Sequence, residues 1–225
     1  GYFNGAHGYG SKVLPYEESS RAPMIVADPR NKSNHGNRTS VLSGNIDVTP
    51  TILELAGLSP SPDLDGRSLV DVVSGRSQSH HESLAIMNCW GPESAQSFGV
   101  ISPNHKYIYW YYSNNEMKPA EELYNLQTDR LELHDLAIET ESSFALNEMR
   151  SHYDAHIARI AKHAYRDTYR RYATLFDRNT PWNEKQSLLP PKLTPFKLSQ
   201  LYTISAQQRS RRAAGLLLSL KYSNF

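Results

Sequence analysis

The spacing of apolar positions changes several times along the chain, and each spacing predicts a different element. Met24-Ile25-Val26-Ala27 is a short unbroken apolar run, the pattern of a buried strand. Ile52, Leu53, Leu55 and Ala56 then form the apolar face of a helix opened by Asp47-Val48-Thr49-Pro50. Asp47 or Thr49 suits its cap, Pro50 its first turn and Gly57 its end. Ser68 to Val73 predicts a second short helix, ending near Gly75. From Leu84 the pattern becomes that of strands: Leu84–Met87, Phe98–Ile101, Lys106–Tyr112 and Glu122–Leu126. Ser102-Pro103-Asn104-His105 makes a hairpin turn between the second and third. Met149, Tyr153, Ile157, Ile160 and Ala164 return to helical spacing. They predict one long amphipathic helix, from about Ser142 to beyond Tyr165, covering one face of a small antiparallel sheet. Past Trp182 the prolines Pro190, Pro191 and Pro195 break any pattern, and Ala206–Leu220 predicts a last helix with no evident purpose.

The segments between these elements carry the candidate chemistry. Gly1 to Lys12 (GYFNGAHGYGSK) holds four glycines, one histidine and one lysine. Glycine at this density predicts a loop whose backbone can approach a ligand closely. Tyr16–Arg21 predicts a helical turn with Glu17 and Arg21 paired four residues apart, stopped by Pro23. His35 lies in a polar loop, Arg30–Ser40. His80-His81-Glu82 looks like a ligand cluster, but adjacent residues point apart in regular elements, so a solvated loop is the expectation. Tyr107–Tyr112, with Trp110 among them, is read as a strand packed under the long helix in preference to a stacking surface for sugars or bases.

Composition narrows the function classes. With 24 basic and 23 acidic residues the net charge is +1, so no global field points to nucleic acid or an anionic membrane. Arg166, Arg170 and Arg171, and later Arg209, Arg211 and Arg212, read as solvated faces. A single cysteine, Cys89, allows no internal disulfide and no thiolate metal centre. No apolar run is long enough for a bilayer span. The chain opens in mid-motif, and we expect it to be the inner part of a larger protein.

Three stretches, in this order, resemble the sulfatases of the alkaline phosphatase superfamily. The first is Gly5-Ala6-His7-Gly8 with Lys12, Tyr16-Glu17, Arg21 and Pro23. The second is Asp47-Val48-Thr49-Pro50-Thr51-Ile52-Leu53-Glu54-Leu55-Ala56-Gly57, followed by Asp65-Gly66-Arg67-Ser68-Leu69. The third is Lys106-Tyr107-Ile108 with Glu122-Leu123-Tyr124-Asn125-Leu126 and Asp135-Leu136-Ala137. Their order and spacing make the match specific, and it covers roughly Gly1 to Trp182.

The resemblance implies an α/β fold: the C-terminal part of an alkaline-phosphatase-like mixed-sheet domain (residues 1–76), then a small antiparallel sheet packed by a long helix (83–180). Residues 181–225 form a tail that the family does not explain. It implies a sulfuric ester hydrolase that uses calcium and a formylglycine made from cysteine or serine. Lys12 stands where the family's sulfate-binding lysine stands, and His7 stands in the His-Gly element before it. Both are candidate catalytic and substrate-binding residues. No residue of the chain is assigned to the metal. The calcium ligands and the formylglycine motif are expected upstream of Gly1, and Cys89 lacks the motif, because Trp90-Gly91-Pro92-Glu93 follows it. The chain alone is therefore expected to be inactive, and without the rest of its sheet it should expose apolar surface. The implied partner is a sulfated small molecule or sulfated carbohydrate, and the implied location is periplasmic or extracellular. Two alternatives stay open: a phosphodiester or phosphonate hydrolase of the same superfamily, and a non-catalytic remnant.

Overall fold

The structure is a computed structural model that describes residues 1–10, 12–30, 36–91, 93–113, 118–163 and 167–189. By backbone contacts the chain divides into two units, Gly1–Lys185 and Gln186–Phe225. Within the first, the described helices are α1 (Glu17–Ser20), α2 (Val48–Leu55), α3 (Val70–Val73), α4 (Ser143–His163) and α5 (Asp167–Phe176), and α6 (Trp182–Ser187) starts there. The strands are β1 (Leu84–Asn88), β2 (Ser97–Ile101), β3 (His105–Trp110) and β4 (Ala120–Asn125). His35 and the stretch Ala206–Leu220 lie outside the described residues.

The four strands form one antiparallel sheet in the order β1-β2-β3-β4. The turn that closes β2 onto β3 is fixed by Ser102 N–H donating to the His105 carbonyl, 2.8 Å. Cross-strand partners then sort by face: Phe98 pairs with Tyr109, Tyr107 with Leu123, and Lys106 with Tyr124. Because neighbours in a strand point to opposite faces, Phe98, Tyr107 and Tyr109 share one side and Lys106, Ile108 and Trp110 the other. Tyr153 of α4 meets the first group edge-on, with ring centroids 5.1 Å from Phe98, 5.2 Å from Tyr107 and 6.0 Å from Tyr109. Its hydroxyl donates to the Phe176 carbonyl at the end of α5. The tyrosine-rich strand is thus core, packed under the long helix as expected.

The opposite face is covered by the N-terminal segment. Phe3, Leu14, Tyr16, Ile108 and Tyr124 form a buried cluster, with Ala6, Ala95 and Trp110 packed against it. A sheet with both faces covered explains why β2 and β3 are almost wholly buried. The long helix starts where predicted, at Ser143, but its described span closes at His163, short of the expected end beyond Tyr165, and the spacing predicts neither the separate α5 nor α6. The buried apolar positions of α5 (Ala173, Leu175, Phe176) are few, and packing decides that helix.

Met24–Ala27 differs from its prediction. It forms no regular structure and has no strand partner among the described residues, and Ile25 is 93% exposed. Ile46, Val48, Ile52 and Leu58 are exposed beyond it. A strand needs a neighbour to satisfy its N–H and C=O groups, and the described residues supply none here. The expected exposed apolar surface is thus present in the structure.

Lys185 of α6 is a charge buried against the sheet. It is 1% exposed, donates to the Tyr109 hydroxyl (2.8 Å) and lies 4.7 Å from the centre of that ring. Desolvation pushes it down to about 8 from 10.5, against the pull of Asp177. In this window the unfolded chain holds the proton and the folded chain does not, so stability should rise as pH climbs from about 8 to 10.5. The span corresponds to about 3 kcal/mol. Urea denaturation between about pH 8 and 9, below the ordinary tyrosine range, should show the rise, and Lys185→Met should flatten it. A wild-type profile equally flat would contradict the burial of this ammonium.

Candidate functional site

The Gly-rich loop is a folded structure. Gly5 N–H donates to Tyr9 O (2.9 Å) and Ala6 N–H to Phe3 O (2.9 Å), closing a compact turn. Its tightness forces His7 into the left-handed region at φ 52 and Gly8 at φ 75. Glycine meets the second requirement without cost, whereas histidine accepts the first with strain. Val13, directly after Lys12, stands at φ 121. For a β-branched residue that conformation costs of order 1–3 kcal/mol and persists only when its surroundings enforce it. Part of the enforcement is Val13 N–H donating to the Ser19 hydroxyl, 3.2 Å.

His7 does not point freely into solvent. Its ring stacks on Tyr16, with centroids 4.3 Å apart and planes 12° apart. Its Nε2 faces Glu18 Oε2 at 3.4 Å, and neither atom has an aligned hydrogen bond. Lys12 is exposed, and among the described residues none pairs with its ammonium. The structure thus places both predicted residues on one constrained loop, one ordered against a carboxylate and one projecting.

The anchorage comes from the C-terminal sheet, through residues that the sequence did not single out as functional. Tyr16 and Tyr124 hydroxyls both donate to Glu122 Oε2 (3.0 Å each), and Trp110 Nε1 donates to Oε1 (2.9 Å). Burial pushes the Glu122 carboxyl up, and these three donors pull it back. Lys106, fully buried, bridges Glu17 (2.8 Å) and Glu132 (2.7 Å). Glu132 also accepts the Glu17 backbone N–H at 2.6 Å. The expected Glu17–Arg21 pair exists at 3.6 Å with the arginine mostly exposed, so it is the lesser partner. No spacing rule pairs residue 17 with 106 and 132, because the chain topology brings them together.

Asp47 corrects a second expectation. It precedes α2 but its side chain does not cap that helix. Instead Oδ2 accepts from Gly44 N–H and Oδ1 from Arg67 N–H, both 2.8 Å. Gly66 is required there because a Cβ would lie 2.0 Å from the Ile46 carbonyl oxygen. His81 Nε2 reaches Oδ1 at 2.7 Å, and His80 Nε2 lies 3.5 Å from Oδ2. The prediction of a solvated His80-His81 loop is therefore wrong. The segment is not a regular element, so both imidazoles turn inward on one buried carboxylate. Burial alone would raise Asp47, but the two N–H bonds and His81 outweigh it and hold the carboxyl below its ordinary range.

The residues present do not suit calcium or formylglycine. Calcium takes six to eight oxygen ligands, while the candidate clusters among the described residues, Asp47-His80-His81 and His7-Glu18-Glu132, each contain histidine. Glu132 is moreover neutralised by Lys106. The Cys89 thiol is half-buried, pushed up by desolvation to about 11, and Glu93 stands where the family's arginine would be. None of the described helices is long and apolar enough to cross a membrane.

Comparison with known proteins adds the lineage. The family model described as N-sulphoglucosamine sulphohydrolase, C-terminal, matches residues 5–159. An N-acetylglucosamine-6-O-sulfatase of Bacteroides thetaiotaomicron is 28% identical over 142 residues, covering 60% of this chain and 25% of that protein. A choline-sulfatase of Rhizobium meliloti is 33% identical over 137 residues, covering 59% and 24%. A solved structure in complex with its substrate D-glucosamine-2-N,6-O-disulfate superposes with a TM-score of 0.60 at 25% identity, over 67% of this chain and 31% of that one. A second structure, from Bacteroides thetaiotaomicron, has a TM-score of 0.62 at 23% identity over 88% of this chain and 38% of its own, a likeness of fold. The chain spans only about a quarter of the curated relatives' length. With the match covering well over half of its residues, from the His-Gly loop through β4 and most of α4, this chain belongs to the sulfatases, as a representative of their N-sulphoglucosamine sulphohydrolase C-terminal family.

Proposed function

We propose that this chain is the C-terminal part of a sulfuric ester hydrolase and supplies one wall of its active site. In this reading residues 1–76 belong to the catalytic domain, and residues 83–180 form the subdomain that holds them in place. The observation that carries it is the loop itself: a strained turn that holds His7 against Tyr16 and Glu18 and leads to the exposed Lys12, whose ammonium has no partner among the described residues. Charge builds on the sulfuryl and leaving-group oxygens as a sulfate ester breaks, and a fixed cation there lowers the barrier. His7, with Glu18 facing one ring nitrogen, is suited to donate a hydrogen bond to the substrate. No step is assigned to a metal or an aldehyde, since these residues supply neither. The substrate we favour is a sulfated amino sugar. The N-acetylglucosamine-6-O-sulfatase and the structure holding a glucosamine disulfate support that choice.

The test joins the chain to its upstream sequence. The longer polypeptide should release sulfate from a sulfated glucosamine, whereas the 225-residue chain should show no turnover. Hydrolysis of phosphonate or phosphodiester substrates in preference to sulfate esters would overturn the assignment, and so would turnover by the chain alone.

A further inference from the structure

The Asp47, His80 and His81 group is unexplained by sulfate chemistry. Each residue offers one ligand atom, and the three atoms lie within 4.8 Å of one another. Asp47 has no exposed side-chain surface, and each histidine side chain is 6% exposed. The two rings cross at 73° with centroids 4.4 Å apart, so neighbouring residues aim their nitrogens at one point. His80 Nε2 is buried, has no hydrogen-bond partner, and is directed at the carboxylate from 3.5 Å. A buried donor or acceptor left unmatched in this way calls for a specific explanation.

We propose that Asp47, His80 and His81 bind a divalent transition-metal ion of the zinc class. Zinc sits about 2.0–2.2 Å from imidazole nitrogen and carboxylate oxygen, so tetrahedral donors stand roughly 3.3 Å apart. The His80–Asp47 separation of 3.5 Å already meets this. The His81–Asp47 contact of 2.7 Å is that of a shared proton. It needs to open by about half an ångström when an ion replaces that proton. The carboxylate is pre-oriented by the N–H groups of Gly44 and Arg67, the kind of outer support that tunes metal ligands. The Arg67 guanidinium is engaged by the His80 carbonyl, 3.1 Å, which fixes the backbone of the ligand. Two imidazoles and one carboxylate, with a fourth position for water, suit zinc and offer too few oxygens for calcium or magnesium. An ion here would cross-link the start of α2, the Gly66-Arg67 turn and the segment leading into β1.

The experiment uses the full chain, freed of metal with chelator and titrated with zinc by calorimetry and thermal melting. One zinc ion per chain is expected, with a melting temperature that climbs as free zinc increases. Cobalt(II) in its place should give the intense visible bands of a four-coordinate site, and calcium and magnesium should do nothing. His80→Ala also removes a buried ring packed on His81 and lowers the apo melting temperature, so the readout is zinc affinity and the zinc-induced rise in melting temperature of the folded variant. That variant should bind zinc at least about 100-fold more weakly. His81→Gln keeps a hydrogen bond to Asp47 and should also lose the cobalt bands. The proposal fails if the wild type takes up no stoichiometric zinc even in large excess. It also fails if both variants retain wild-type affinity and the same cobalt spectrum, which would locate the ion elsewhere.

Discussion

Lys106→Met is expected to lower stability by about 3–5 kcal/mol, the cost of breaking a buried ion pair from one side. The substitution preserves the length of the aliphatic stem, so the loss isolates the charge. In the native chain one ammonium serves Glu17 at 2.8 Å and Glu132 at 2.7 Å. Without it two carboxylates face each other, one of them fully buried. At about 2–4 °C per kcal/mol for a unit of this size, the melting temperature should fall by roughly 6–20 °C.

The sign of the pH dependence is a sharper check. Burial raises Glu132, Lys106 lowers it, and neighbouring Glu17 raises it. Removing the lysine leaves only the Glu17 N–H to oppose the upward influences, so the folded variant binds a proton more readily than the unfolded chain does. The penalty is then full at neutral pH and shrinks as pH falls through the folded value. Denaturant curves at neutral and mildly acidic pH should therefore converge toward the wild type on acidification. Lys106→Met combined with Glu132→Gln should recover much of the loss at neutral pH. A single-variant cost below about 1 kcal/mol, the range of surface pairs, would show that this bridge is solvated.

The second large effect is catalytic. In the full-length enzyme, Lys12→Ala should reduce kcat/KM for a sulfate ester by about 100- to 1,000-fold, the usual cost of losing one charge-stabilising donor. Stability should stay within about 0.5 kcal/mol, because the side chain is exposed and has no described partner. That combination separates a substrate ligand from a structural lysine. Lys12→Arg should restore part of the rate, since it returns the charge with altered geometry. A loss under tenfold would remove Lys12 from the site. Losses of rate and stability together would mean that the loop, strained at Val13, had collapsed.

The small sheet also holds the turn beside the loop. Lys106 sits on β3 and Glu122 on β4, yet both hold the Tyr16-Glu17-Glu18 turn against which His7 rests. The small sheet is therefore the platform of the candidate sulfate-binding wall, and damage to its buried charges should reach that wall without touching it.

Period and punctuation alone determined much of this protein. The aromatic run in Lys106–Tyr112, the turn residues at Ser102-Pro103, and the helical recurrence of Met149, Tyr153 and Ile157 are local signals. They are recorded in φ/ψ preference and side-chain direction, so they could be read without the fold. The Gly-rich loop with His7 and Lys12 was visible for the same reason. Tertiary structure decided what each buried charge faces. Residue 17 meets 106 and 132, residue 16 meets 122, and two adjacent histidines converge on Asp47. Those contacts join positions 33 to 115 residues apart, and long-range electrostatic partnership leaves no periodic trace in a sequence. The exposed Met24–Val26 run makes the complementary point. Apolarity states that a segment should be covered, and only the surrounding structure states by what.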